Sequence, residues 1–215
     1  MLDAVTRADA VSVAPLPPSS LAQAVRLLAR AFRDNPLNRA VIRSGRSAVR
    51  VRSNAHGMRA HLPAALGRGR LLGAQREGVL VGVLVAAPPG GYPFPPPSGR
   101  ARLRCLWGQG LGVASRWAQV YAALDARHPR DEHWYLGTLG VDPEEQGRGA
   151  GGALLARWLA QVDREGLPAW LETDGEDNVG FYERRGFAVE ERITVLDVPV
   201  WLMRRRPAAA GAGSG

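Results

Sequence analysis

Between residues 144 and 155 the chain reads EEQGRGAGGALL, and its glycines fit two phosphate-binding spacings at once. Counted from Gly147 they spell G-x-G-x-x-G (Gly147, Gly149, Gly152), the spacing of a dinucleotide loop. Counted from Gln146 they spell Q-x-x-G-x-G (Gln146, Gly149, Gly151), the spacing of an acetyl-CoA pyrophosphate loop. Either loop works by presenting unhindered backbone N–H groups, at a helix N-terminus, to phosphate oxygens. Around it lie residues able to move protons: His133, Glu172 and Tyr182, with an acidic run ETDGEDN at 172–178.

The elements that must position these groups are legible in outline. A strand around 11–14 is followed by a helix opening at Ser20, where Ser20 and Gln23 predict a capping box. Leu21, Val25, Leu28 and Phe32 recur at helical spacing before RDNPLN breaks the helix at 33–38. A second amphipathic helix is expected over 47–65, then a hairpin turning at Glu77-Gly78, then a Pro/Gly loop at 88–99. One helix is predicted over 101–126, and a strand over 133–141. After the glycine loop come a helix from Gly149, a strand at 168–173, a short helix stopped by Gly186, and a final strand pair over 187–203. Residues 1–206 are expected to form a single domain, with 207–215 a disordered tail.

Composition excludes several classes. The chain has 215 residues, enough for one full core and short for two. Its first ten residues carry Asp3 and Asp9 and no apolar h-region, and its longest apolar run, 79–87, is about half a membrane span. Cys105 is the single cysteine, which rules out an internal disulfide and suits a reducing, cytoplasmic setting. The net charge is +8, yet all 28 basic residues are arginine and they are scattered. That pattern reads as genome bias, so neither a nucleic-acid nor a membrane partner is expected. Without lysine there is no Walker A loop.

Three features weigh against the dinucleotide spacing. DPEEQ separates Val141 from Gly147, where a Rossmann loop turns tightly off its strand. Only residues 173–206 remain after Glu172, and what precedes the loop is a helix pair and a hairpin. Its one attraction is an acid, Glu172 or Asp174, about 20 residues beyond the glycines.

LGVDPEEQGRGAGGALL followed by LETDGEDNVGFYERRGF resembles the GNAT superfamily of acetyl-CoA-dependent N-acetyltransferases. Those stretches, and more faintly AFRDNPLNRAV at 31–41, are similar to its branch of puromycin N-acetyltransferase relatives. The resemblance covers residues 133–187 sharply. It implies an α/β (α+β) GNAT fold: a mixed, mostly antiparallel sheet of six to seven strands, splayed between its two central strands and flanked by helices. It further implies acetyl-CoA as co-substrate, no metal, and transfer by direct attack of an amine on the thioester.

Residue by residue, the resemblance assigns cofactor binding to Gln146, Gly147, Arg148, Gly149, Ala150, Gly151 and Gly152. Backbone N–H groups of Leu139, Gly140 and Val141 are implied to polarise the thioester, and Asn178, Phe181 and Tyr182 to meet the cofactor arm. Tyr182 matches the general acid, since a phenol stays protonated at neutral pH. Asn178 also reads as a helix N-cap. The position of a strand base found in some relatives is Tyr135, so the base stays open among Glu172, His133, Asp34 and a water-mediated carboxylate, with Glu172 favoured.

For the acceptor, Glu172, Asp174, Glu176, Asp177, Asp131 and Glu132 read either as an acidic mouth for a cationic amine or as a solvated loop and helix start. An apolar wall of Trp107, Trp117 and Tyr121 is expected if that amine is small. An acetyltransferase of proteins or peptides, or a silent acyl-CoA-binding relative, are the alternatives. The chain is expected to act as a monomer or homodimer.

Overall fold

The computed structural model describes residues 10–207. The N-terminal segment read for a secretion signal and the expected tail, Pro207 apart, lie outside the described residues. The elements in chain order are β1 (Ser12–Pro15), α1 (Leu21–Ala31), α2 (Pro36–Val41), α3 (Ser47–Arg68), β2 (Arg70–Arg76) and β3 (Val79–Ala87). They continue with α4 (Gly99–Gln109), α5 (Leu111–Asp125), β4 (Trp134–Val141), α6 (Ala150–Glu165), β5 (Ala169–Thr173), α7 (Glu176–Glu183), β6 (Phe187–Val195) and β7 (Val198–Arg205). The strands form one seven-stranded sheet in the order β1-β2-β3-β4-β5-β7-β6. Every neighbouring pair is antiparallel except β4 and β5.

Helices cover both faces, which is why β3 is apolar almost without interruption. Its Leu84 and Ala86 pack with Leu154, Leu155 and Trp158 of α6, while Val83 and Val85 pack with Leu27 and Leu28 of α1 and Leu62 of α3. A third cluster joins α2 and α5 to β5 and β7 through Val41, Val120, Trp170 and Val200. The β2–β3 hairpin turns at Glu77 (φ 51°) and Gly78 (φ 77°), the left-handed pair of a two-residue type I′ turn.

The site depends on how β4 and β5 meet. They pair at three positions, Trp134 with Ala169, Tyr135 with Trp170, and Leu136 with Leu171. Beyond Leu136, β4 runs on to Val141 against β3, and β5 carries Glu172 and Thr173 against β7. The two central strands therefore diverge into a V-shaped gap, as the expected fold requires. A register irregularity between Val85 and Ala86 leaves Gly137 without a partner on β3, at the mouth of that gap.

Gly140 lets α1 lie close over β4. A Cβ there would stand 2.5 Å from Leu28 Cδ2 and 3.1 Å from Phe32 Cε2. Gly140→Ala is thus expected to cost about 1–3 kcal/mol of stability, the usual range for overpacking. Urea unfolding followed by circular dichroism measures it.

Three local expectations need correction. The helix expected over 101–126 is two helices, α4 and α5, because Gly110 adopts φ 83°, ψ 156° and ends the first. The Ser20–Gln23 capping box is not made: Pro18–Ser20 forms a 3-10 turn, which holds Ser20 at ψ −1°, and its side chain caps nothing. Nor is Asn178 the N-cap of α7; that helix starts at Glu176 with Gly175 at its cap, and Asn178 Nδ2 donates to Thr173 Oγ1 at 3.3 Å.

Candidate active site

The glycine loop runs from the end of β4 into α6. Gly147 (φ 77°) and Gly149 (φ 89°) both take left-handed conformations, and Gly149 is the N-cap of α6 without any side-chain cap. The first N–H groups of the helix are thereby left for a ligand. Gly151 differs: an added Cβ would meet only Val141 Cγ2 at 3.4 Å and Phe181 Cζ at 3.8 Å, ordinary contacts that the protein tolerates. Nothing in the packing demands glycine there, whereas close approach of a phosphate does. The cradle fits the pyrophosphate of acetyl-CoA.

Charged side chains brace the loop from behind. Glu145 takes Arg148 Nη1 at 2.7 Å and Arg76 Nε at 3.0 Å, and Arg76 Nη2 donates to the Arg148 carbonyl at 2.8 Å. Asp142 is buried, paired with Arg30, and its Oδ1 accepts from Glu144 N–H at 3.2 Å. Gln146 Nε2 donates to the Val141 carbonyl at 3.2 Å. Arg148, expected to face phosphate, is thus engaged with Glu145 in this structure.

A cation that the sequence did not flag stands nearby. Arg185 lies 3.8 Å above the Phe181 ring, and a Cβ on Gly152 would meet its Nη2 at 2.9 Å. Among the described residues it has no carboxylate partner, so it adds positive charge beside the first turn of α6. Gln146 and Asn178 come together along one groove of about 280 Å³, which Arg30, Asp34 and Asn35 also line.

On the other side of the gap, Glu172 sits where β5 leaves β4. Its side chain is only 8% exposed. Oε1 accepts from Trp170 Nε1 at 2.7 Å and Oε2 from the Tyr135 hydroxyl at 2.9 Å. Burial, with Glu172 close by, pushes the Tyr135 phenol well above its ordinary value, so it remains a donor. The 88–98 loop roofs this corner: Phe94 stands 6.2 Å from Tyr135 ring to ring, and Tyr92 4.9 Å. The result is a carboxylate in an aromatic cage.

Tyr182, on α7, is 8% exposed and packs edge-on against Phe181 and Phe187. Burial raises its phenol above the usual value, partly offset by Arg185. Among the described residues nothing hydrogen-bonds its hydroxyl, which suits a proton donor awaiting a partner. His133 stands apart from this surface. It is buried just before β4, with Nδ1 2.7 Å from the Asp131 carbonyl and Nε2 3.0 Å from His128 Nε2. Burial holds its pKa below the ordinary imidazole value. Asp34 is a poor base: hydrogen bonds from Arg50 and Arg33 hold its carboxyl below the usual range.

The expected acidic mouth is largely committed elsewhere. Asp174 accepts from Leu37 N–H at 2.8 Å and Asn35 Nδ2 at 3.3 Å, so it caps α2. Asp131 pairs with Arg204, and Glu176 and Asp177 occupy the first turn of α7. The apolar wall is also revised: Trp117 and Tyr121 stack at 5.7 Å, but Trp107 is 86% exposed on α4. Sequence reading missed His128 and Tyr92, whose rings stack at 3.5 Å, because both lie in irregular segments without periodicity.

Comparison with known proteins identifies the family and the fold. Residues 46–187 match the model of the acetyltransferase (GNAT) family, about two thirds of the chain, and the chain belongs to that family. An N-acetyltransferase of Schizosaccharomyces pombe, itself uncharacterised, is 36% identical over 88 residues; the match covers 39% of this chain and 36% of that protein. The chain thus spans about a third of that relative's length.

Among solved structures, a Corynebacterium glutamicum protein described as histone acetyltransferase HPA2 and related acetyltransferase superposes with a TM-score of 0.68. Its identity is 20%, over 94% of this chain and 99% of that one. A Drosophila melanogaster polyamine N-acetyltransferase that forms N-acetylagmatine superposes at 0.63 with 14% identity, over 92% and 100%. Such identities establish the shared fold. The family uses acetyl-CoA, and among the described residues no cluster of three metal-ligating side chains occurs and no helix is long and apolar enough to cross a membrane.

Proposed function

We propose that the protein moves an acetyl group from acetyl-CoA to a primary amine of a small cationic molecule, by direct attack of the amine on the thioester. The carrying observation is the buried Glu172 carboxylate inside an aromatic cage, at the point where β4 and β5 diverge. A carboxylate held in apolar, aromatic surroundings favours an organic cation over a neutral or anionic acceptor. The roof formed by Tyr92 and Phe94 favours a compact acceptor over a protein surface. Acetylation of agmatine by the Drosophila structural relative is consistent with this reading.

In the mechanism, the N–H groups from Gln146 to Gly152 hold the pyrophosphate, with Arg185 adding charge. Backbone N–H groups of β4 at Leu139 and Val141 stabilise charge developing on the thioester oxygen. Glu172 takes a proton from the ammonium group, freeing the nitrogen lone pair. Tyr182 gives its phenolic proton to the departing sulfur and regains one from the new amide nitrogen.

The test is thiol release from acetyl-CoA with agmatine, spermidine, puromycin and a lysine-containing peptide as acceptors. At least one small cation is expected to exceed the peptide about tenfold or more in kcat/KM. Preference for the peptide contradicts the small-acceptor reading, and absence of any amine-dependent release contradicts turnover itself.

A further inference from the structure

His128 has no part in the roles described so far, yet aromatic rings enclose it beside Glu172. Tyr92 of the 88–98 loop stacks on one face at 3.5 Å, and Tyr135 of β4 and Trp170 of β5 meet it edge-on at 5.1 and 6.5 Å. His128 Nδ1 is buried with no hydrogen-bond partner, and it stands 3.8 Å from Glu172 Oε1. Nε2 lies 3.0 Å from His133 Nε2.

The direction of these hydrogen bonds follows from one group. The Asp131 carbonyl can only accept, so His133 Nδ1, 2.7 Å away, carries a hydrogen. Neutral His133 then has a lone pair on Nε2, and His128 must donate to it from its own Nε2. Neutral His128 is left with a bare lone pair on Nδ1, aimed at a carboxylate already accepting from Trp170 and Tyr135. Two acceptors face each other across 3.8 Å, an arrangement lacking one proton. The other charged groups nearby are committed. Arg127 pairs with Glu191 of β6, Asp125 of α5 accepts from Tyr92, and Asp131 pairs with Arg204 of β7.

The structure assigns to His128 the role of proton acceptor behind Glu172, with His133 and the Asp131 carbonyl as positioning groups that fix its tautomer. This deepens the proposed function and rests on Glu172 as the group facing the amine. The ammonium N–H bond breaks toward Glu172, its electron pair staying on nitrogen. The proton passes to the Nδ1 lone pair, forming an imidazolium beside the carboxylate. After acetyl transfer that imidazolium releases one proton to solvent, which balances conversion of an ammonium and a thioester into an amide and a thiol.

Long-range 1H–15N spectra of the imidazoles at pH 8 read the tautomers directly. His128 is expected to be protonated on Nε2 and bare on Nδ1, and the reverse pattern overturns the assignment. In kinetics, His128→Gln is expected to lower kcat about 10- to 100-fold at unchanged acetyl-CoA affinity, which also reports that the variant is folded. The acidic limb of its kcat/KM profile is expected to move to lower pH, because a carboxylate rather than an imidazole is then the last proton acceptor. An unmoved limb overturns the role of His128 while leaving Glu172 intact. Full activity in Glu172→Gln would instead overturn the reading on which it rests.

Discussion

Glu172→Gln is expected to lower kcat about 10²- to 10⁴-fold, the usual contribution of a positioned base, with acetyl-CoA affinity unchanged. Glutamine preserves shape and keeps a carbonyl oxygen to accept from Tyr135 or Trp170. Its amide nitrogen, however, would face one of those donors, and no atom of it takes a proton at neutral pH. Because Glu172 lies at the strand divergence and the loop glycines lie at the head of α6, the loss should fall on the chemical step. Raising the pH, which deprotonates the amine in solution, should partly rescue the variant. Stopped-time thiol assays from pH 7 to 10 measure both effects.

The complementary result is expected from Gly151→Ala. The protein accepts this methyl group, with 3.4 Å to Val141 Cγ2, and alanine favours the helix by about 0.5–1 kcal/mol over glycine. A bound phosphate does not accept it. Losing one charge-assisted hydrogen bond costs about 1.5–3 kcal/mol, so acetyl-CoA affinity should weaken about 10- to 150-fold while stability holds or rises. Calorimetric titration with acetyl-CoA and thermal unfolding separate the two. Gly149 is a poorer probe, since at φ 89° any side chain strains the fold itself.

The two variants divide the site as the sequence divides it. The glycine loop was legible because its geometry is local: the spacing from Gln146 to Gly152 is itself the signal, and Gly147 and Gly149 take the left-handed conformations it implies. The Glu77-Gly78 hairpin and the α6 core positions Leu154, Leu155, Trp158 and Val162 were legible for the same reason. What was hidden is tertiary. Asp174 reads as part of an acidic mouth until α2, far earlier in the chain, places Leu37 N–H against it. Glu172 acquires its cage from Tyr92, Tyr135 and His128, which no spacing rule connects. The break at Gly110 rests on one residue's backbone conformation (φ 83°, ψ 156°), which no apolar spacing marks.

Transfer across the β4–β5 gap is expected to be direct, without an acetylated protein. It is tested by mixing the protein with acetyl-labelled acetyl-CoA, first without amine and then with the best acceptor. The sole cysteine, Cys105, donates to Gln109 on α4 and its thiol is pushed up by burial, so no thiolate is poised to intercept the acetyl group. No burst of free thiol and no label on the protein are expected before amine is added, after which thiol and acetylated amine appear in step. A stoichiometric burst with label retained on the chain, at Cys105 or elsewhere, rules out direct transfer.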